Sequence, residues 1–480
     1  MKKIFAAMMI VCAVLAGGYT FAGYWLGTQT QKHYEALIAQ GNQPHIEIKN
    51  KSYDRGVFRS TAVTSVTVKN SGEGPAAEDL FQFTLVNSIQ HGPVASADGQ
   101  RVSRGMRPFQ AVMTTRLAPG EENGEMVRWL LERVPELGTS EVVTILDING
   151  KGESFLDVPP FQKKLPGKKG GEVSLIWDGL KADSRFDIAL NEVVGSFAAP
   201  RLEMADQEAQ LAVRNWKGDF NTLPGIKGVS VGAMSLLCES IDFYSVEEDT
   251  RFRLESPLVQ LESGVTGDRI NLSLLTRFEK LTASGDIFGP FVFELEFRKL
   301  DPESIARFQQ DMKEMQGQLA ASSGEAAKEK LEAAYMRLLT GLVDKAPEMA
   351  LKQLKLGTSR GSLDGRLAVG IAETGGSILK NPLLALGSVS ANLDVSISEP
   401  LLMYILENRF RGDSEGRDGE NTAEERRMAA EQIAQILTGL VEQKLVLKET
   451  GSFKTSASFQ AGDLTVNGRK LNLGDLLKLQ

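Results

Sequence analysis

Apolar and polar residues alternate in short runs over much of the chain, which is the pattern of half-buried β-strands. Between residues 45 and 288 these runs are rich in Val, Thr, Ile and Phe, and turns containing Gly, Asn, Asp and Pro separate them. Many strands with short connections predict antiparallel meanders. Residues 125–133 depart from the alternation, because their apolar positions follow helical spacing, and they predict a helix.

The N-terminus has a different pattern. Two lysines precede an uncharged apolar run, residues 4–27, and about 20 such residues suffice to cross the hydrocarbon of a bilayer. Tyr19, Tyr24 and Trp25 stand where an interfacial aromatic belt would fall. The run predicts an uncleaved transmembrane anchor with a cytoplasmic N-terminus. A signal peptide cleaved after residues 20–22 is the alternative.

The C-terminal part contains a weak internal repeat. The alternating strand that includes Phe291 and Phe297 recurs as a second one that includes Val389 and Ile397. At the same offset an acidic residue precedes a proline, a pair that commonly starts a helix, and two apolar helical stripes follow. Segments 289–375 and 387–472 are therefore predicted to be two copies of one strand–helix–helix–strand-pair unit.

These patterns predict an α+β, β-rich fold with extended antiparallel sheets, helices packed on one side in the C-terminal half, and a single N-terminal transmembrane helix. Three regions follow from them. Residues 1–27 form the anchor, residues 28–288 form a β-rich periplasmic region, and residues 289–480 hold the two repeats. The apolar stripes of the predicted helices are expected to cover the apolar faces of the repeat strands.

Composition excludes several function classes. The chain of 480 residues has a formal charge of -8, which removes a general basis for nucleic-acid binding. Its 3 His residues lie at positions 33, 45 and 91, and its 2 Cys residues are Cys12 and Cys238. These few residues offer no metal-ligand spacing and no disulfide scaffold. We therefore expect no metal site, no cofactor and no catalytic residue that the sequence can identify.

One catalytic motif is present only in outline. Gly228, Ser230 and Gly232 match the Gly-x-Ser-x-Gly pattern of a nucleophile elbow, but no His follows Ser230 to accept its proton. Because the chain has 62 Asp and Glu residues, a carboxylate pair acting on an envelope polymer stays open as an alternative function.

Three short motifs resemble a known family. Residues 52–60 are similar to the Tyr–Arg–Gly–Phe–Ser motif of YdgA-like bacterial envelope proteins, residues 91–93 to its His–Gly–Pro element, and residues 461–471 to its terminal hairpin. The resemblance implies the envelope of a Gram-negative bacterium and supplies no activity. The motif residues are Tyr53, Arg55, Gly56, Phe58, Ser60, His91, Gly92 and Pro93.

The residue types of the motif favour a structural role in the scaffold, and contact with a ligand is the alternative. Arg55 and Gly56 suit a turn or bulge in which the glycine adopts positive φ. Tyr53 and Phe58 are expected to pack on either side of it, while the side chain of Arg55 is expected to donate to a buried or edge acceptor. The imidazole of His91 is expected to form a hydrogen bond with a backbone group.

The predicted function is a non-enzymatic envelope protein. It is held in the inner membrane by residues 4–27, has its body in the periplasm, and binds a lipid, another hydrophobic ligand or an envelope protein. The oligomeric state is not predicted. A long, concave apolar sheet face would favour lipid binding, whereas a polar cleft with two carboxyl groups of raised pKa would favour the carboxylate-dependent hydrolase.

Overall fold

The computed structural model describes most of the chain. The described ranges are residues 2–42, 46–69, 79–92, 109–167, 171–247, 249–319, 324–373, 387–412 and 423–471, with side chains described from residue 19 onwards in the first of them. The chain divides into two compact units. Unit 1 comprises Met1–Pro224 and Met312–Leu331, and unit 2 comprises Gly225–Asp311 and Glu332–Gln480.

Helices are few relative to strands, as the alternation predicts. The described helices are α1 (Lys2–Gly41), α2 (Glu125–Arg133), α3 (Pro302–Leu319), α4 (Gly324–Val343), α5 (Glu399–Gly412) and α6 (Ala423–Glu442). The bounds of α2 coincide with the helix predicted from its apolar spacing.

Unit 1 is an antiparallel sheet. Its strands pair in the order β1–β2–β3–β4–β5–β6–β9–β10–β11. β9 pairs with the first half of β10, and β8 pairs with the second half of β10 along the same edge. β7 pairs with β8. The strands are β1 (Ile46–Arg55), β2 (Arg59–Lys69), β3 (Asp79–His91), β4 (Phe109–Leu117), β5 (Glu141–Asp147), β6 (Lys151–Val158), β7 (Phe161–Pro166), β8 (Glu172–Trp177), β9 (Leu180–Asp187), β10 (Val193–Ala205) and β11 (Ala209–Pro224).

Unit 2 is also antiparallel throughout. Its main order is β12–β15–β16–β18–β19–β20–β21–β23–β24–β25, with β13–β14–β17 joining β18 and β22 joining β23. The strands are β12 (Ser230–Leu237), β13 (Ser240–Ser245), β14 (Thr250–Glu255), β15 (Leu258–Thr266), β16 (Arg269–Phe278), β17 (Lys280–Ala283), β18 (Asp286–Leu300), β19 (Glu348–Thr358), β20 (Gly361–Ile371), β21 (Val389–Ser398), β22 (Leu447–Glu449), β23 (Ser452–Gln460), β24 (Asp463–Val466) and β25 (Arg469–Leu471).

The best-defined core lies in unit 1, where the second half of α1 packs on β1 to β4. Tyr34 of the helix is buried with Ala62, Ile89 and Ala111, which lie on β2, β3 and β4. The register places these three strand residues on one face of the sheet. Residues of one helix and three strands, separated by up to 77 positions in the chain, therefore share a single apolar cluster, and Tyr53 of β1 packs against it.

The predicted anchor overlaps this packing. Residues 4–27 lie within α1, which is one continuous helix from Lys2 to Gly41. The side chains of residues 4–18, which make up most of the predicted span, lie outside the described residues. Among the residues that the structure does describe, no helix is long and apolar enough to cross a membrane.

The two predicted repeats contain their elements in the same order. In the first, β18 is followed by α3, α4, β19 and β20; in the second, β21 is followed by α5, α6 and the strands from β22 onwards. Pro302 begins α3, and Pro400 lies in the first turn of α5. The predicted boundary at residues 288–289 falls inside β18. Duplication of the unit stays a prediction.

Candidate functional site

The family-motif residues come together on the face of the unit 1 sheet that carries α1. β1 supplies Tyr53 and Arg55, the turn after it supplies Gly56 and Phe58, β2 supplies Ser60, and the end of β3 supplies His91 and Gly92. Pro93 lies outside the described residues. The motif is therefore a spatial cluster as well as a sequence pattern.

The turn between β1 and β2 requires its glycine for a reason other than the predicted one. The amide of Gly56 donates a hydrogen bond to the carbonyl of Arg59 at 2.9 Å. A Cβ on residue 56 would lie 2.4 Å from that oxygen. The expected positive φ is wrong, since Gly56 is not among the positive-φ residues. Close approach of backbone explains the glycine.

Arg55 joins this turn to the helix. Its Nη2 donates to the hydroxyl of Tyr24 at 3.1 Å, and its Nη1 donates to the hydroxyl of Thr28 at 3.2 Å. The guanidinium carbon also lies 4.9 Å from the centroid of the Tyr24 ring. The acceptors predicted for Arg55 are thus two hydroxyl groups on α1, and the arginine side chain stays exposed.

The two aromatic motif residues both pack on α1, and not on either side of the turn. The ring of Tyr53 lies 5.6 Å from that of Tyr34, and the ring of Phe58 stacks on that of Tyr19 at 5.2 Å. A Cβ on Gly23 would lie 2.8 Å from the Phe58 ring. The glycine lets the helix backbone approach the turn closely.

One helical turn further on, a second glycine faces the motif. A Cβ on Gly27 would lie 3.1 Å from Cδ2 of His91. The imidazole Nε2 of His91 is hydrogen-bonded to the hydroxyl of Ser60 at 2.7 Å, and the His91 amide donates to the carbonyl of Phe58 at 2.8 Å. Since Gly23 and Gly27 are four residues apart, they lie on the same side of α1. We call Arg55, Phe58, Ser60 and His91 the helix seat.

Ser60 and His91 form a buried hydroxyl–imidazole pair, where a backbone acceptor was expected for the imidazole. Their exposed fractions are 3% and 2%. Burial, and then the charge of Arg55, lowers the pKa of His91 below 6.5. A serine nucleophile and its histidine base need an orienting acceptor at Nδ1. The Nδ1 atom of His91 is buried and has no such partner among the described residues.

A second polar network under α1 was not visible in the sequence. The hydroxyl of Tyr34 is hydrogen-bonded to that of Thr64. The amide of Asn87 donates to the same Tyr34 hydroxyl at 2.9 Å, and Thr115 donates to the Asn87 oxygen at 2.7 Å. Burial raises the pKa of Tyr34. These residues form no local motif, because they come from one helix and three strands.

Gly92, the last motif residue that the structure describes, lies at a point of close backbone contact. Its amide donates to the carbonyl of Gln110 at 2.9 Å, and a Cβ on residue 92 would lie 1.7 Å from the carbonyl oxygen of Phe109. The side chain of Gln110 turns to the helix, where its Nε2 lies 3.2 Å from Nδ1 of His33 and 3.4 Å from the hydroxyl of Thr30.

The second candidate site is one face of the sheet in unit 2. Directly opposed residues of antiparallel strands lie on the same face. The register therefore traces a row across nine strands, one residue from each, which we call the leucine row. From β12 to β24 its members are Met234, Leu261, Leu274, Leu295, Leu351, Leu367, Leu393, Ala457 and Val466.

Neighbouring rows on this face are apolar as well. On one side of the leucine row, Phe293 opposes Leu354, and on the other Phe297 opposes Met349. The alternation predicted for residues 291–297 thus places its four large apolar residues on this face. We call the side of β12, β15, β16, β18, β19, β20, β21, β23 and β24 that carries the leucine row the apolar face.

The opposite side of the same strands is polar. Lys352 forms ion pairs with Glu294, at 3.4 Å, and with Glu296. Cross-strand neighbours pair Lys355 with Asp364 on this side. Burial alone would raise the pKa of Glu296, but hydrogen bonds from Lys352 and Arg298 outweigh it and lower that pKa. The sheet is therefore strongly two-sided in its chemistry.

The apolar face is only partly covered. Met234, Val259 and Leu261 are 39%, 36% and 37% exposed. Most other members of the face are half-buried, whereas inward-facing residues of a two-layer fold are usually fully buried. Continuous apolar surface on this scale is typical of binding surfaces.

The predicted covering by helical stripes is incomplete. Within unit 2, α3 and α4 pack on each other, with the rings of Phe308 and Tyr335 5.2 Å apart. Tyr335, Leu339 and Ile436 belong to the predicted stripes, yet they are 48%, 50% and 52% exposed. α5 lies against β20 and β21 with Leu401 buried. The expectation that these three residues are buried in a helix–sheet core is wrong.

In the described parts of the chain, few residues fit a catalytic or metal-binding role. Ser230 begins strand β12, whereas a nucleophile elbow leads into a helix. No group of three or more His, Cys, Asp or Glu side chains in the described residues could hold a metal ion. The carboxyl groups with clearly shifted pKa values there, Glu136, Asp187 and Glu296, are all shifted downwards.

Comparison with known proteins gives a family and no activity. The chain is 22% identical to Protein YdgA of Escherichia coli (strain K12), over 99% of this chain and 96% of that protein. It is 21% identical to the uncharacterized protein YihF of the same organism, over 98% and 97% of the two chains. No solved structure matches it. The model of a bacterial protein family of unknown function, DUF945, matches residues 1–474, and the chain belongs to that family.

Proposed function

We propose that this protein is a non-enzymatic, membrane-anchored envelope protein whose apolar face binds the acyl chains of lipids. The observation that carries the proposal is the leucine row, which continues across nine strands without a charged residue. A surface of this kind offers dispersion and hydrophobic contact and almost no hydrogen bonds, so it suits hydrocarbon.

The dimensions of the apolar face fit this ligand class. Neighbouring strands lie about 4.8 Å apart, so nine strands extend over about 40 Å. The hydrocarbon of one bilayer leaflet is about 15 Å thick, half of a core of about 30 Å. The face therefore has room for several acyl chains side by side, while the head groups would stay at its edges.

The location belongs to the proposal. The apolar run 4–27, preceded by two lysines, supports an inner-membrane anchor with the remainder of the chain in the periplasm. An anchored body meets lipid at high local concentration. We do not propose the carboxylate-dependent hydrolase, because no carboxyl group with raised pKa in the described residues favours it.

Neighbouring positions of β15 allow a matched test. Leu261 lies on the apolar face and Gln260 on the opposite side of the same strand. We would place the photocrosslinking residue benzoylphenylalanine at each position of the full chain in living cells. After irradiation, mass spectrometry of the peptides would identify what has been captured.

The expected result is phospholipid adducts at position 261 and none at position 260. Protein adducts at position 261 would mean that the apolar face binds a protein partner and not the acyl chains of lipids. Equal capture at both positions would show that the apolar face has no role in binding.

A further inference from the structure

We propose that the turn between β1 and β2, together with the outer side of α1, forms an interface patch that rests in the head-group region of the bilayer. The patch consists of Phe21, Tyr24 and Trp25 of the helix and Val57 and Phe58 of the turn. It would extend the membrane contact from the C-terminal end of the anchor to the β1–β2 turn. This inference rests on the membrane location in the proposed function.

Every member of the interface patch is exposed despite its apolar surface. Phe21 is 70% exposed, the highest fraction of the five, and Val57 is 38% exposed, the lowest. Single exposed apolar residues are common on protein surfaces. Here five exposed apolar residues, four of them aromatic, lie together in two adjoining elements. Such a patch is typical of a surface that contacts a partner.

The helix and the turn form one continuous surface. A Cβ on Gly23 would lie 2.8 Å from the Phe58 ring and 3.2 Å from the carbonyl oxygen of Val57, so no side chain separates the two elements there. Tyr19 stacks on Phe58 from the preceding helical turn. Arg55 fixes Tyr24 through its hydrogen bond and the cation–π contact.

The chemistry fits a bilayer interface better than a water-exposed tip. Tyr and Trp concentrate at the head-group level, where the ring is shielded and the polar atom stays hydrated. Arg55 and Arg59 flank the two apolar residues of the turn, and both are exposed. An arginine can hold a phosphate group while its stem lies among apolar neighbours.

The position along the chain fits the same partner. The three helical residues of the patch belong to the C-terminal end of the apolar run 4–27, inside the continuous helix α1. With the earlier residues of the run in the hydrocarbon, the patch lies where the helix leaves the bilayer. The helix seat then sets the depth of the β1–β2 turn, because Phe58 and His91 contact the helix at Gly23 and Gly27.

The test uses the full chain in vesicles of phosphatidylethanolamine and phosphatidylglycerol. An environment-sensitive NBD label is attached through Val57→Cys in a background of Cys12→Ala and Cys238→Ala. The matched control is Phe81→Cys, a 43% exposed position at the other end of the same sheet, where β3 pairs with Val68 of β2. Quenching is measured with nitroxides placed on lipid head groups or deep in the acyl chains.

We expect the label at position 57 to shift to the blue and to be quenched by head-group nitroxides more than by deep ones. The label at position 81 should do neither. Equal behaviour of the two labels on chains that float with the vesicles would overturn the interface patch and leave the anchor intact. A blue shift at position 57 without nitroxide quenching would assign the patch to a protein contact and overturn the proposal. Chains that fail to float would overturn both the patch and the anchor.

Discussion

Gly27 lies over the imidazole of His91, so close that a side-chain carbon on the helix would be in tighter than ordinary van der Waals contact with the ring. A Cβ on residue 27 would be 3.1 Å from Cδ2 of that ring. The ring cannot retreat easily, because Ser60 holds its Nε2 atom and the carbonyl of Phe58 holds its backbone amide. The position of α1 on the sheet is therefore tied to the family motif.

Enlarging residue 27 should loosen the helix. Gly27→Leu forces side-chain atoms into the helix seat, and overpacking of this kind costs about 1–3 kcal/mol. Hydrogen exchange of the full chain should show faster exchange in residues 19–41. Gly439→Leu in α6 is the control, because a Cβ there meets nothing within 4 Å. That change should be neutral or stabilise its helix, by up to about 1 kcal/mol. Unchanged exchange in Gly27→Leu would contradict the close packing.

Acidification should weaken the same packing. Burial lowers the pKa of His91, so below its unfolded value of 6.5 the unfolded state binds a proton that the folded state does not. Stability therefore falls as the pH drops through 6.5 towards the lowered folded pKa, and it is retained above 6.5. The measurement is the unfolding midpoint of the full chain at pH 7.5 and at pH 5.5, about one unit to either side of the ordinary histidine value.

Two substitutions separate the histidines that contribute to this pH dependence. Burial also lowers the pKa of His33, which acts in the same direction. Glutamine cannot titrate, so each substitution should remove part of the dependence. His91→Gln should remove the larger part, because His91 is 2% exposed whereas His33 is half-buried. A midpoint that shifts equally with pH in the unchanged protein and in His91→Gln would rule out His91 as its source.

Gly92 should tolerate no side chain. A Cβ there would lie 1.7 Å from a backbone oxygen that pairing with β5 holds in place, so Gly92→Ala should cost about 3 kcal/mol or more. Gly264→Ala in β15 is the matched change, since nothing lies within 4 Å of its Cβ position. It should stabilise by up to about 1 kcal/mol. Urea unfolding followed by circular dichroism compares them, and equal midpoints would refute the contact.

Removing one buried hydroxyl should weaken the polar network under α1. Tyr34→Phe removes one hydrogen bond from Thr64 and one from Asn87, while the Asn87 amide still donates to Thr64 at 3.4 Å, and the loss of a typical hydrogen bond costs about 0.5–1.5 kcal/mol. Tyr335→Phe, at a 48% exposed position, should leave the unfolding free energy unchanged. The same urea titration measures both, and a Tyr34→Phe protein as stable as the unchanged one would mean that the network contributes nothing.

Local elements followed closely from the sequence where one physical rule dominated. The apolar spacing of residues 125–133 gave a helix with those bounds, because charged residues flank its single stripe. The alternation from Phe291 to Phe297 correctly separated the apolar from the polar side of β18. Gly56 was correctly placed in a turn, but its φ was not, because the contact with Arg59 is made by backbone that the pattern does not represent.

Strand pairing could not be predicted. β6 pairs with β9 and β12 pairs with β15, so neighbours in the chain are not always neighbours in the sheet. Alternation with a period of two predicts which residues of one strand share a face, but it does not predict which strand pairs with that strand. The leucine row can be traced only once the eight registers between its nine strands are known.

The sequence by itself determined the class of fold, the two-sided character of the strands and the membership of the motif, because side-chain period and turn chemistry act over a few residues. Tertiary structure decided what those residues contact. It placed Ser60 against His91 and the motif against α1, and it left Leu339 and Ile436 half-exposed where a helix–sheet core was expected. The reason is that burial and hydrogen bonding are settled between segments far apart in the chain, where many pairings satisfy the same local pattern and only the complete set of contacts selects one.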